Sequence, residues 1–199
     1  MDHQAIIRKS VSAQGFLPAM ADLLIYLYGE PHRHYHGLVH LAQLIERVRD
    51  KGIKLSYVQW LALYFHDAVS NLTRPKGENE RQSAEMLRAI GARYYIGTSD
   101  IQKATGIILD TIDHQPTVEG SAIVLDLDMA GLAKPWEDFL DDSVLVYKEV
   151  ESLVTWEEYS IRRAKFFESV LINQNIFHTP EFAQEEVLAR ANMQRVINK

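Results

Sequence analysis

The sequence predicts an all-α protein, and three observations carry that prediction. Apolar residues recur at three- and four-residue spacing along nearly the whole chain. Glycine and proline fall where helices begin and end, as at Pro18, Gly29, Pro31, Gly52, Gly91, Pro135 and Pro180. The most apolar run, Trp60, Leu61, Ala62, Leu63, Tyr64 and Phe65, reads as a buried helix and leads directly into His66 and Asp67. Burying a carboxylate there is costly unless its charge is paired or bound to a metal. A helix that surfaces at His66 and ends in solvent is the simpler reading of that pair alone.

Taken in order, residues 16–28 form the first predicted helix. Pro18 sits in its first turn, Leu23, Leu24, Leu27 and Tyr28 give its apolar face, and Gly29, Glu30 and Pro31 end it. Four histidines follow within residues 32–40. The helix beyond them carries Leu41, Leu44, Ile45 and Val48 and stops near Gly52. His36 and His40 stand four apart, so the spacing places them on one helical face, as a metal pair or as an ordinary core-edge pair. Ser56 is the expected N-cap of the apolar helix. A polar loop, 70–77, follows Asp67, and a helix opens at Glu78 and runs to about Gly91. Ser99 or Asp100 caps a helix expected to reach His114. Residues 122–126 favour β locally, through Ile123, Val124 and Leu125, but the helical surroundings favour a helix. Further helices are expected over 135–155, to about Asn173, and after Thr179 and Pro180. Leu145, Val146, Val150, Leu153, Phe166, Phe167, Val170 and Leu171 read as packing face, not as cofactor contacts.

Composition narrows the function. The 199 residues suit a single domain, 1–199, with a core over about 16–132 and C-terminal helices 135–199 packed on it. A net charge of −6 argues against nucleic-acid binding over a broad basic surface. With no cysteine, disulfides and thiolate metal sites are excluded. No apolar run approaches the roughly 20 residues of a membrane helix, and no signal peptide is visible at the N-terminus. The expectation is a cytoplasmic protein without a membrane partner; a homodimer is compatible with it.

His36, His66, Asp67, His114 and Asp128 form an ordered set at predicted helix ends or within helices. All their donor atoms are nitrogen or oxygen, which suits Mn, Fe, Zn, Ni, Co or Mg. A bound divalent cation would explain why Asp67 and Asp128 tolerate apolar flanks. Asp126 is the rival to Asp128, and a histidine at a helix end, such as His114, is ordinarily a cap.

This set resembles the HD superfamily of metal-dependent phosphohydrolases. Arg33 three residues ahead of His36, the pair His66 and Asp67 thirty residues on, and Asp128 are similar to its ordered elements. The resemblance is closest to a bacterial branch of small HD phosphohydrolases of unassigned substrate. It rests on the run 30–36, on Asn79, Glu80, Ser83 and Ala84, and on Ala189, Arg190 and Asn192. Ser70 replaces a tyrosine usual in that branch, and Tyr147, Lys148 and Glu149 depart from its more usual Arg-x-Glu-Tyr run.

The resemblance implies an HD-type helical bundle with one or two divalent ions between helices. It implies His36, His66, Asp67 and Asp128 as ligands, with His114 similar to an extra ligand of two-metal members. Asp67 and Glu80 would act in catalysis, and Arg33 would grip a phosphate with its planar fork. His40 either supports a ligand or faces the substrate, and Asn79 and Lys76 lie on the substrate side. The implied reaction is hydrolysis of a phosphorylated small molecule, a nucleotide or other phosphomonoester, by a metal-activated water. An HD-fold oxygenase with two irons and a non-catalytic nucleotide-sensing module are the alternatives.

Overall fold

The computed structural model describes residues 2–198. Among them are ten α-helices, three short 3-10 turns and no strand. The helices are α1 (His3–Ala13), α2 (Pro18–Tyr28), α3 (Leu38–Asp50), α4 (Tyr57–Phe65) and α5 (Glu78–Gly91). They continue with α6 (Thr98–Asp110), α7 (Ser121–Met129), α8 (Trp136–Lys148), α9 (Trp156–Leu171) and α10 (Glu186–Ile197).

The apolar helix α4 lies at the centre, and every residue from Trp60 to Phe65 is buried. Its start is fixed by a reciprocal cap: Gln59 N–H donates to Ser56 Oγ at 3.3 Å, and Ser56 N–H donates to Gln59 Oε1 at 2.7 Å. It packs against α6, α7 and α5. Burying each large side chain in this run contributes about 1.5–3 kcal/mol, so polar His66 is delivered to the interior by its apolar predecessors.

An N-terminal helix that the periodicity left unassigned, α1, packs on α2 and α3. Asp2 caps it, accepting from Ala5 N–H at 3.1 Å. Ile7 and Val11 are fully buried, and the Ser10 and Tyr64 hydroxyls meet at 2.6 Å, which ties α1 to α4.

The segment with β-branched residues is helical. α7 packs on α3, α4 and α6, and Val124 and Leu125 are buried there. Burial outweighs a local preference for strand worth less than about 1 kcal/mol per residue.

Several boundaries differ from expectation, each for a visible reason. α3 begins at Leu38, after an extended Gly37, so His36 precedes the helix and does not share a helical face with His40. A Cβ on Gly37 would lie 2.9 Å from the Arg33 carbonyl, which is why the turn takes glycine. α6 starts after Gly97 and ends at Asp110, short of His114. Asp110 accepts from Thr117 N–H at 2.8 Å, Thr117 Oγ–H at 2.6 Å and Val118 N–H at 3.1 Å. These bonds fold the following loop back on itself, and within that loop His114 takes a left-handed conformation, φ 50°. α8 stops at Lys148, and Thr155 and Glu158 cap a separate α9. Thr179 and Pro180 launch a 3-10 turn, Pro180–Glu185, before α10.

α10 packs on α9 and on the turn Ala130–Ala133 that ends α7. Asn192 Nδ2 donates to the Leu132 and Lys134 carbonyls, both at 2.9 Å. No helix among the described residues is long and apolar enough to cross a membrane.

Candidate metal centre

Three helices bring their polar groups to one buried point. α4 ends at His66, whose Nδ1–H donates to the Leu63 carbonyl at 2.9 Å. That bond orients the ring so that Nε2 is the nitrogen turned toward the two carboxylates. Nε2 lies 3.3 Å from Asp67 Oδ2 and 3.5 Å from Asp128 Oδ1. His40, from α3, places its Nε2 3.8 Å from each of the same two oxygens. One donor atom each from His40, His66 and Asp128 lies within 4.8 Å of the others, an arrangement that could hold a metal ion.

His40 Nε2, His66 Nε2 and Asp67 Oδ2 are buried and have no hydrogen-bond partner. Their separations exceed ordinary hydrogen-bond lengths, and several unpaired polar atoms at one buried point are destabilising unless something lies between them. Two imidazole nitrogens and two carboxylates are the donor set of a borderline or hard divalent cation, so the residues fit such an ion.

The electrostatics agree. Burial works against a proton on His66, but the charges of Asp67 and Asp128 outweigh it and lift its pKa to about 10. A field that holds a proton there draws a metal cation equally. Burial lowers the His40 pKa to about 4, so this imidazole is neutral at physiological pH, as a ligand must be. Burial alone would raise the Asp128 pKa, yet His66 and His114 hold it well below the carboxylate range.

The remaining predicted residues separate into those at the site and those held elsewhere. His114 Nε2 lies 3.1 Å from Asp128 Oδ2 and so braces the second oxygen of that carboxylate. His178 Nε2–H donates to the His114 carbonyl at 3.0 Å and fixes the loop from the other side. His36 stands next to the centre, outside the compact trio to which His40 belongs. The His36 Nδ1–H donates to Glu149 Oε2 at 2.7 Å, and Glu149 Oε1 accepts from the Tyr35 and His36 amides at 2.7 and 2.8 Å. Burial opposes protonation of His36, but the Glu149 bond prevails and its pKa is raised. Glu80 faces the same cavity, and burial raises its pKa.

Arg33 is not presented to a ligand. Its side chain is 1 % exposed and pairs with Glu30 at 2.8 Å. Its Nη atoms donate to the carbonyls of His36, Asp67 and Ala68 at 3.2, 2.6 and 2.9 Å. The guanidinium therefore fastens the 30–37 turn to the end of α4. Lys76 is exposed and paired with Asp113 at 2.6 Å. Asn79 braces the polar loop, accepting from Asn71 N–H at 3.1 Å and donating to its carbonyl at 3.2 Å. Asp126, fully buried, accepts from His178 N–H, Thr179 N–H and Thr179 Oγ–H at 2.8, 2.8 and 2.5 Å. Those bonds hold the start of the 180–185 turn and turn Asp126 away from the trio.

A cavity of about 370 Å³ opens from Asp67, His114 and Asp128 and runs toward α8 and α9. Val146, Phe166 and Phe167, expected to be packing face alone, line it together with Phe139 and Arg163. Sequence reasoning named His40 beside His36 but did not group it with His66 and Asp128, and it missed Glu149 and Arg163 as neighbours of the site. His40 could have been found from its place on the apolar stripe with Leu41 and Leu44. The carboxylate reaching His36 from 113 residues away left no local signal.

Comparison with protein-family models, curated proteins and solved structures gives no match to the chain.

Proposed function

We propose that the protein is a metal-dependent hydrolase of a phosphorylated small molecule. The observation that carries this reading is the group of three unpartnered buried atoms, on His40, His66 and Asp67, beside a cavity large enough for a small organic phosphate. His40, His66 and Asp128 would hold the ion, with Asp67 completing the donor set. When bound, a divalent ion makes an attached water acidic enough to act as nucleophile near neutral pH and neutralises charge on phosphoryl oxygens.

The chain's own residues do the rest. His114 fixes Asp128 by its 3.1 Å contact, so the carboxylate need not reorganise. Glu80, with a raised pKa and a place in the cavity wall, can take a proton from water. His36 keeps its own proton more firmly than a free histidine because Glu149 accepts from Nδ1, and it can pass a proton to the departing alkoxide. The side chains of α8 and α9 cover one wall and limit water there.

The test is turnover of a phosphomonoester and nucleotide panel by protein loaded in turn with Mn, Fe, Zn, Ni, Co and Mg. Hydrolysis lost in chelator and restored by one of these ions is the expected outcome. Metal-loaded protein inert on the whole panel would overturn the proposal. Iron-dependent oxygen consumption would then point to an oxygenase with two irons, and tight nucleotide binding without turnover to a sensing module.

A further inference from the structure

The cavity wall holds an arginine with no hydrogen-bonding or ion-pair partner. Arg163, on α9, lies with its guanidinium 5.0 Å from the ring centres of both Phe139 and Phe167. Its Nη2 is buried and makes no hydrogen bond, and none of the ion pairs among the described residues involves it. Two carboxylates on the same side have cations or donors of their own. Asp142 Oδ2 lies 2.6 Å from Lys134 Nζ as an ion pair, without hydrogen-bond geometry, and Glu149 is taken by His36 and two amides. Arg163 is also the one lysine or arginine among the described residues lining the cavity, which otherwise contributes the carboxylates of Asp67, Glu80, Asp128 and Asp142.

A half-buried guanidinium without a counter-ion is destabilising, and a planar fork lying over two neighbouring rings, whose centres are 5.8 Å apart, is restrained and ready for an oxyanion. Apolar side chains, Leu132, Phe139, Val146, Phe166 and Phe167, line the cavity together with Arg163 and with Asp67 and Asp128. We propose that Arg163 recognises a second anionic group of the ligand. The substrate is then a phosphate ester with an apolar, flat middle whose far end carries a carboxylate or another phosphate. This deepens the hydrolase reading and rests on it for the reacting end alone.

Non-hydrolysable probes separate the two. Calorimetry on Mn-loaded protein compares phenylphosphonate with carboxyphenylphosphonates bearing the carboxyl at ring position 3 or 4 or on a one-carbon arm, and with the phenylene bisphosphonates. At least one two-ended probe should bind wild type about tenfold tighter or better than phenylphosphonate, as expected for a charge-assisted hydrogen bond. Whether the carboxyl or the phosphonate gains more identifies the second group. Arg163→Gln should abolish the gain, and Arg163→Lys should keep part of it. Phenylphosphonate affinity and the melting temperature report whether each variant is folded. Absence of any gain in wild type, or a gain that survives in folded Arg163→Gln, overturns the proposal. If no phosphate ester turns over while the gain and its dependence on Arg163 persist, the hydrolase reading falls and the role of Arg163 stands.

Discussion

Arg33 and Arg163 are both drawn out of water near the same cavity, yet they do opposite things. Arg33, in the turn before α3, has a carboxylate and three carbonyls around its fork. Arg163, on α9, has two aromatic faces and no acceptor. The same contrast separates Asp126 from Asp128 two residues along α7. Asp126 accepts three hydrogen bonds from the 178–179 backbone and hydroxyl. Asp128 has His114 at one oxygen, and its other oxygen faces two imidazole nitrogens at 3.5 and 3.8 Å. Groups whose bonding capacity is filled by the chain are scaffold, and groups left open are where a ligand can add free energy.

Mutations on the two sides of this contrast should separate cleanly. The largest effect is expected at the open centre. His66→Ala should weaken divalent-metal affinity by about 100-fold or more, more than loss of a supporting contact costs. Metal titration that finds wild-type affinity in this variant would place the ion elsewhere. Asp128→Asn should also lose metal.

Asp126→Ala should instead keep the metal and lose stability, by about 2–3 kcal/mol, because it strands two part-buried amides and a hydroxyl. For a chain of this size that is a drop of about 5–10 °C in melting temperature. Equal metal loss in Asp126→Ala and Asp128→Asn would erase the contrast.

The open centre should also show in pH. Without metal, His66 keeps a proton up to about pH 10, and that proton must leave when an ion takes Nε2. Metal affinity should therefore rise about tenfold per pH unit from pH 7 to 9. Calorimetry in buffers of different ionisation enthalpy should find about one proton released per ion from this residue. A histidine titrating near its ordinary value of about 6.5 would give a flat profile over the same range.

The smallest effect is expected at Arg33. Arg33→Lys keeps a charge beside Glu30 but cannot reach three carbonyls at once. A loss of about 1–2 kcal/mol with metal content and turnover per folded molecule unchanged is the expected result. Turnover that falls tenfold without a change in melting temperature would move Arg33 from the scaffold to the site.

By itself the sequence determined the helices and most of the chemistry at stake. Periodicity, a cap such as Ser56, and the run from Trp60 to Phe65 are local signals that fix where helices form and which faces are buried. They made His66, Asp67, His114 and Asp128 legible as chemistry in an apolar setting. Only the tertiary structure decided that His40 joins the trio while His36 turns to Glu149, because one glycine delays the start of α3. It alone decided that Arg33 is saturated and Arg163 is not. Saturation depends on which acceptors the fold brings within about 3 Å. The acceptors around Arg33 come from residues such as Asp67 and Ala68, while Lys134 takes up Asp142, and the chain must fold before a side chain's partners are settled.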